Sequence, residues 1–566
     1  MHPDPKLSRK TYTLLDGWWD CEIRKAPLKD TSFSSPDKTT LSYNPPEAYT
    51  GKILVPFSPE TSKSGVNHRL MSDEELWYRT TFSWDGNDRL FIRFIASDWR
   101  TVVFVNGEYI RFHEGGYTPF EAEISGFAVK GDNMLEVKIH DFSDTEPYCR
   151  GKQSMTPHGM WYRCQSGIWQ SVYLEKRPKE YIKRIISETL DGYSALLTVE
   201  ATSKGPVTLD FGFTEINAKT NEPFQLDIRN LTLWSPDNPK IYPAKVRFQD
   251  DEAETYFTFR YLGYGDDTRF SLNGKSFFSN GILDQGYSPE GFLTMTYEEM
   301  KSDIELIKSL GFNSIRKHIK VEPPLWYRLC DEYGLCVWQD MVSGGNPSPV
   351  AAMVPAVMQR FRLSDTSHHA LFGRKEQKGK DEYLHTAEET ICSLKEYGCI
   401  ILWTIFNEGW GQFDSDKVYN HLRLLDQTRF FDTASGWHDQ GKGELASYHC
   451  YFQTYKYRKD PHGRATVLSE FGGNIYRIKD HVYSDKDFIY KKTDNEEEFL
   501  ERLKQQFENV RQQKEKGLTG SIYTQVTDVE EESNGFITFD RKVVKSNIEK
   551  LREIISVLND QIIEGK

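Results

Sequence analysis

Near residue 265 the hydrophobic rhythm of the chain changes, and this change constrains the fold more than any single motif. Up to about residue 260 the apolar residues come in short runs: LWYRTTFSW (76–84), RLFIRFIAS (89–97), TVVFVNGEYI (101–110) and NMLEVKIHDF (133–142). Aromatic and β-branched side chains of this kind suit a pleated, half-buried surface. Turn clusters such as DGND and KGDN separate the runs, and Asn106-Gly107 is a strong hairpin signal. Many short strands without helices between them predict a sandwich or jelly roll over 1–180. A second set, SALLTVEAT, GPVTLDFGF, KVRFQ and TYFTFRYLG, predicts a smaller sandwich over 181–264.

From residue 265 onward, strand-like and helix-like segments alternate. MTYEEMKSDIELIKSLG sets Met300, Ile304, Ile307 and Leu310 on one helical face, with Gly311 behind them. PPLWYRLCDEYG has Pro near its start and Gly after its end. EEFLERLKQQFENV carries a stripe of Phe499, Leu503, Phe507 and Val510, and a last helix is expected to use Val544, Ile548, Leu551 and Ile555. The strand candidates are FFSNGIL, FNSIRKHI, LCVWQDM, CIILWTIFNE, RFFDTASG, ELASYHCYF, ATVLSEFGG and GSIYTQVTD. Eight such units predict a (β/α)8 barrel over 265–566, with a doubly wound open sheet as the other architecture. No G-x-G-x-x-G or P-loop follows any strand, so nucleotide binding has no support.

In a barrel of this type the C-terminal ends of the strands form the active site. The fourth strand ends in Asn407 and Glu408, and the seventh ends in Glu470. A carboxylate that closes an apolar run is costly unless it is paired or protonated. Two that converge have their pKa values pushed apart, leaving one group ionised and one holding a proton. Glycoside hydrolysis uses such a pair, and retaining enzymes hold the carboxyls roughly 5–5.5 Å apart. Arg316, at the end of the second strand, is expected to brace Glu470 by charge. Trp437, after the fifth strand, is a stacking platform; Trp403 is expected to point away or to pack under the site.

The net charge of −13 argues against a nucleic-acid partner. No apolar run reaches the roughly 18 residues of a membrane span, and the polar start MHPDPKLSRK lacks a secretory core. Eight scattered cysteines form no C-x-x-C pair. Reduced thiols in a cytoplasm are expected, with Cys330, Cys336 and Cys399 as small core residues. No metal motif stands out, and no cofactor is expected.

FNEGWGQ (406–412) and SEFGG (469–473) resemble the acid/base and nucleophile motifs of glycoside hydrolase family 2, the family of β-galactosidases, β-glucuronidases and β-mannosidases. SGIWQSVYLE (166–175) resembles the end of that family's jelly-roll sugar-binding domain, and LWSPDNPKIY (233–242) its immunoglobulin-like domain. LNGKSFFSNGI (272–282) and LWYRLCDEYGLCVWQD (325–340) are similar to the first part of its barrel. The resemblance implies Glu408 as general acid/base, Glu470 as nucleophile, Asn407 on the sugar 2-hydroxyl and Tyr451 as the tyrosine beside the nucleophile. His449, Trp437, Arg316, His318, Lys320, Trp410, Tyr523 and Gln525 complete the expected substrate-binding set. The implied activity is that of a retaining exo-β-glycosidase on an oligosaccharide or glycoside, with a β-galactoside leading. A β-glucuronidase or another family specificity is the alternative within that class. An inverting enzyme and a catalytically silent carbohydrate-binding protein are the competing mechanisms and classes. A homodimer is the expected assembly.

The chain departs from the family in four places. The loop after the second strand reads RKHIKVEPP, without the family's His-Tyr-Pro. The eighth strand ends IYTQVTD without the usual Trp, so Tyr523 and Gln525 are expected on the floor of the site. The Asn-x-Lys pair of glucuronidases is missing, as are the magnesium ligands of large β-galactosidases. Ser343 to about Lys380, rich in Pro, Gly and charge, is expected to overhang the mouth as a lid or aglycone wall, with His368 and His369 solvated.

Overall fold

The computed structural model describes residues 1–566 except 28–40, 266, 353, 359–360, 487–489 and 560–566. The first part is a β-sandwich. A six-stranded antiparallel sheet runs in the order Gly51–Val55, Gly17–Lys25, Glu74–Trp84, Gly131–His140, Arg100–Val105, Glu108–Glu114. It faces a four-stranded sheet of Tyr12–Leu14, Val172–Arg177, Arg89–Phe94 and Phe120–Glu123. Alternate residues of both sheets, including Trp19, Leu76, Tyr78, Ile92, Phe94 and Leu174, form one buried core. The Asn106-Gly107 turn is as expected: both residues have positive φ, 52° and 83°, which matches the strand twist in a two-residue hairpin.

A three-stranded and a four-stranded sheet form the second sandwich between Ile182 and Phe257, around Leu197, Val199, Leu209, Val246 and Phe257. It is bonded to the barrel through Asp331. The Tyr256 hydroxyl donates to Asp331 Oδ2 at 2.9 Å, and the Trp234 indole donates to the Asp331 carbonyl at 2.8 Å.

The remainder is the expected barrel and not an open sheet. Its eight parallel strands are β1 (Ser279–Asp284), β2 (Ser314–Lys317), β3 (Cys336–Asp340), β4 (Ile400–Asn407), β5 (Phe430–Ser435), β6 (Leu445–Cys450), β7 (Ala465–Gly472) and β8 (Leu518–Thr524). They hydrogen-bond in the order β5-β4-β3-β2-β1-β8-β7-β6, so the ring closes except for a ladder between β5 and β6. Phe270, on a short hairpin before β1, stacks on Phe430 at 4.4 Å and seals the bottom.

The outer helices follow the sequence pattern with one exception. Helix α1 (Tyr297–Ser309) starts at a reciprocal cap between Thr296 and Glu299 and buries Met300, Ile304 and Ile307. Helix α2 (Pro324–Tyr333) ends at Gly334, whose φ of 70° and contact with Pro236 leave no space for a Cβ. Helices α3 (Gln377–Leu394) and α4 (Ser415–Arg423) flank β4 in the chain. Helix α5 (Glu496–Lys516) buries its whole predicted stripe. The exception is α6 (Ile548–Ile555), which begins at an Asn547 cap. That cap leaves Val544 outside the helix and Ile548 exposed, so only Leu551 and Ile555 pack inward.

The segment 343–380 is also more structured than expected. It contains two single-turn helices, Pro349–Ala352 and Val354–Val357, and its last residues already belong to α3, while positions 353 and 359–360 lie outside the described residues. Arg150 of the first sandwich pins its beginning, donating to the Gly345 carbonyl at 3.1 Å and to Asn346 Oδ1 at 2.6 Å.

Phe507 of α5 packs against Phe471 of β7 and Tyr523 of β8 at 5.4 and 5.7 Å. Replacing it, Phe507→Ala, is expected to cost about 3–5 kcal/mol in chemical unfolding of the barrel, because the rigid strand ends allow little collapse around the cavity.

Candidate active site

Glu470 faces the barrel mouth because β7 carries an extra residue. Leu468 pairs with Tyr448 and Glu470 pairs with His449, which leaves Ser469 unmatched. A bulge of this kind interrupts the alternation of the strand and re-aims the side chain beyond it. Glu408 follows β4 with a φ of 53°, and its N–H donates to the Ser435 carbonyl at 2.9 Å. That left-handed backbone, costing on the order of 1–2 kcal/mol for a residue with a Cβ, turns the carboxylate back over the strand ends. A carboxylate oxygen of each Glu and a ring nitrogen of His449 all lie within 4.8 Å of one another.

Arg316 holds these strand ends together from beneath. It is fully buried. Its Nε donates to Asp340 Oδ1 at 3.0 Å, Nη1 to Glu470 Oε1 at 3.0 Å and to the Ser469 carbonyl at 3.1 Å, and Nη2 to Asn407 Oδ1 at 2.8 Å. Because a guanidinium only donates, the Asn407 amide must turn its oxygen to Arg316 and its Nδ2 donors the other way. Asp340 also accepts from His318 Nδ1 at 2.9 Å.

The two carboxylates have different surroundings. Burial would raise Glu470, but His449, Arg316 and His318 and the hydrogen bond from Tyr451 outweigh it and hold the carboxyl down to about 2. Burial and the charge of Glu470 push the Tyr451 hydroxyl well above its usual range, so it remains a donor. Glu408 is more open, with 19% of its side chain exposed against 5% for Glu470. Its bonded neighbour is His449, whose Nδ1 lies 2.7 Å from Glu408 Oε1. The other nitrogen of His449 faces Arg316 Nη1 at 3.4 Å and Ser435 Oγ at 3.1 Å. Since a carboxylate only accepts, the proton on Nδ1 is donated to Glu408. The three groups could also converge on one cation. With both ring nitrogens engaged and Arg316 already beside Glu470, the donor set fits proton sharing better.

Three expected site residues sit elsewhere. Lys320 donates to the carbonyls of Gly286 and Leu293 and to Glu322 Oε1 at 2.6–2.8 Å, which uses all three donors away from the mouth. The Tyr523 ring packs outward among Phe471, Phe507 and Phe536 and not on the floor. Gln525 is spent on its neighbours: its Nε2 donates to Asn534 Oδ1 at 2.7 Å and its Oε1 accepts from Gln285 Nε2 at 2.6 Å. Trp403 points away, its indole donating to Asp426 at 2.9 Å. Trp410 is a fixed wall, with its indole on the Gly345 carbonyl and its edge 4.8 Å from Trp161. Trp437 lies 5.3 Å from His449.

Sequence reasoning missed a second polar group on the β8 side. Glu532 accepts from Gln285 at 2.9 Å and from Tyr490 at 3.4 Å, and Tyr490 lies 5.4 Å from Tyr451. Lys152, from the first sandwich, brings its ammonium to 3.9 Å from Glu532 with 9% of its side chain exposed. Asp340 was within reach of the strand-end rule, since it closes the apolar run of β3. Nothing local marks Lys152.

Residues 266–559 match the profile described as "Glycosyl hydrolases family 2, TIM barrel domain", and residues 6–178 match "Glycosyl hydrolases family 2, sugar binding domain". The chain belongs to glycoside hydrolase family 2. Among curated members of the family, a β-galactosidase of Lactococcus lactis is 24% identical over 457 residues, which is 77% of this chain and 40% of the relative. A putative β-glucuronidase of Formosa agariphila is 25% identical over 386 residues, 64% of this chain and 34% of the relative. The chain thus spans two fifths or less of the length of these family 2 relatives. Solved family 2 folds match end to end. A β-D-glucuronidase of Dictyoglomus thermophilum superposes with a TM-score of 0.72 at 21% identity, covering 98% of each chain. A β-galacturonidase of Eisenbergiella tayi bound to galacturonate has a TM-score of 0.70 at 19% identity, covering 97% of this chain and 98% of its own.

A carboxyl depressed on folding stabilises the protein fully above its unfolded pKa, and that contribution is lost as pH falls through the folded value. For Glu470 the window runs from about 4.3 in the unfolded chain down to about 2. Tyr451→Phe removes a hydrogen bond to the ionised form. The variant is expected to be about 1.5–3 kcal/mol less stable at pH 6. Urea unfolding should show the gap between variant and parent narrowing as pH falls below 4.3 towards 2.

Proposed function

We propose that this family 2 chain is a retaining, exo-acting β-glycosidase, with Glu470 as nucleophile and Glu408 as acid/base. The observation that carries the reading is the pair of carboxylates within 4.8 Å in unequal environments. One oxygen of each within that distance supports retention, at roughly 5–5.5 Å between carboxyls, over the roughly 6.5–9.5 Å of an inverting pair with water between.

In the first step the ionised Glu470 attacks the anomeric carbon, and the glycosidic bond breaks as Glu408 gives its proton to the departing oxygen. Glu408 Oε1 accepts from His449, which leaves Oε2 for that proton. In the second step Glu408 takes a proton from water, whose oxygen attacks the anomeric carbon and releases Glu470 from its ester. Asn407 Nδ2, oriented by Arg316, is the donor for the sugar 2-hydroxyl. The division 1–180, 181–264 and 265–566 assigns catalysis to the barrel, with Lys152 lent by the first sandwich.

A neutral terminal sugar, a β-galactoside first, fits best on the glycone side, because Glu532 stands beside Lys152 and adds a third carboxylate to the pocket. A terminal uronide is the second reading, supported by the ammonium of Lys152. The absence of a disulfide among the described cysteines suits a cytoplasmic setting.

A panel of nitrophenyl β-glycosides, uronides included, is expected to give turnover with one leading sugar. Proton NMR of the first-formed product should show the β-anomer. The matching 2-fluoro glycoside should label a single peptide at Glu470. An α-anomer as first product, or a label on another residue, overturns the assignment.

A further inference from the structure

The leaving-group side of the same site carries a chemistry of its own, and the inference drawn from it rests on the glycosidase reading above. From Glu470 a path of polar groups runs through Tyr451 and Tyr490 to Glu532 and Gln285, after β8 and β1, and the proposed reading seats the sugar ring on that side. Glu408 sits over β5 and β6, so the leaving group departs on that side. There a wide cleft opens from His449 and Trp437, with Met358, Phe361 and Arg362 on one side and Gln453, Thr454, Tyr455, Lys456 and Arg458 on the other.

Its lining is one-sided. Arg362, Lys456 and Arg458 line it, all exposed, and no acidic side chain does among the described residues. Asp439 and Asp460, whose charges reach Tyr448 on its wall, are both held by Arg464 at 2.7 and 2.9 Å. The chain as a whole carries −13, so a cationic cleft is not the background of the surface. Two residues of the lining also carry a buried donor with no acceptor among the described residues: the indole N–H of Trp437, a residue 5% exposed, and the hydroxyl of Tyr455. A wall with donors and no acidic acceptor calls for a ligand group that only accepts, and carboxylate and sulfate are such groups. Phe361, Tyr448 and Tyr455 supply ring faces beside these donors.

We infer that the leaving group of the natural substrate is a ring bearing an anionic substituent, a carboxylate or a sulfate, which docks between Arg362 and Arg458 as Glu408 protonates the glycosidic oxygen.

The test compares aryl β-glycosides of the preferred sugar whose phenols are matched in acidity and differ in one substituent: carboxamide, carboxylate or sulfate ester. At low salt the better of the two anions is expected to exceed the carboxamide in kcat/KM by about tenfold, mostly through KM, which is what three exposed charge pairs supply. The preference should shrink at high salt, where exposed charges are screened. It should collapse in the Arg362→Gln, Arg458→Gln double variant, and Arg362→Glu should invert it. Salt dependence in the unmodified protein reads the same charges without relying on the variants' folding. Equal rates for all three substrates at low salt overturn the inference and leave the glycosidase reading standing. A preference that survives in the folded double variant locates the anion elsewhere and also overturns it. No turnover of any of the three removes both readings.

Discussion

A single buried guanidinium holds the mouth of the barrel in register. Arg316 joins Asp340 of β3, Asn407 of β4 and the Ser469-Glu470 turn of β7 to its own strand, β2. A planar fork with five N–H groups can reach three strand ends at once, and a lysine in its place could not. Buried ion pairs of this kind do not stabilise a protein over a well-packed apolar core, because removing charge from water costs as much as the pairing returns. The network is therefore understood through position. It fixes the directions of an amide and a carboxylate that would otherwise have several rotamers, and it keeps the carboxylate ionised in a place where burial alone would protonate it.

His449 divides the remaining work. One ring nitrogen touches Glu408 at 2.7 Å and the other lies 3.5 Å from Glu470. The imidazole thus stands between the two carboxylates and is in reach of both. It also gives Glu408 a fixed hydrogen bond on one oxygen and leaves the second without that partner. The asymmetry between the two acids comes from what surrounds them, since the same residue type stands at both positions.

The fold was readable because its cues are local. Eight apolar runs, six of them followed by a helical segment, leave few arrangements other than a closed parallel sheet, and β4 and β7 bring Glu408 and Glu470 to its mouth. Arg316 was within reach for the same reason, since it stands near the end of a strand, whereas Tyr451 and His449 were expected from the resemblance to the family. The errors share a physical origin. Lys320 and Tyr523 lie near strand ends in sequence, but direction depends on register, and whether Lys320 finds three acceptors behind the sheet cannot be counted from spacing. Gln525 follows β8 by one residue, yet its amide is consumed by Gln285 and Asn534. Lys152 and Glu532 are far apart in the chain and meet only through the packing of one domain on another, for which no local pattern exists. The extra residue at Ser469 that turns Glu470 inward is equally silent in a string of letters.

That meeting of distant segments has a bearing on how the protein matures. The first sandwich is bolted to the stretch after β8: Gly159 donates to Glu531 at 2.7 Å, Arg163 to Glu530 at 2.8 Å, and Lys152 lies beside Glu532. During synthesis domains generally fold in order of emergence, at about 5–20 residues per second. The sandwich can therefore be complete while its partner segment, 372 residues further along the chain from Gly159 to Glu531, is still missing. Until then the mouth of the barrel lacks one of its walls, even where Glu408 and Glu470 have already been made.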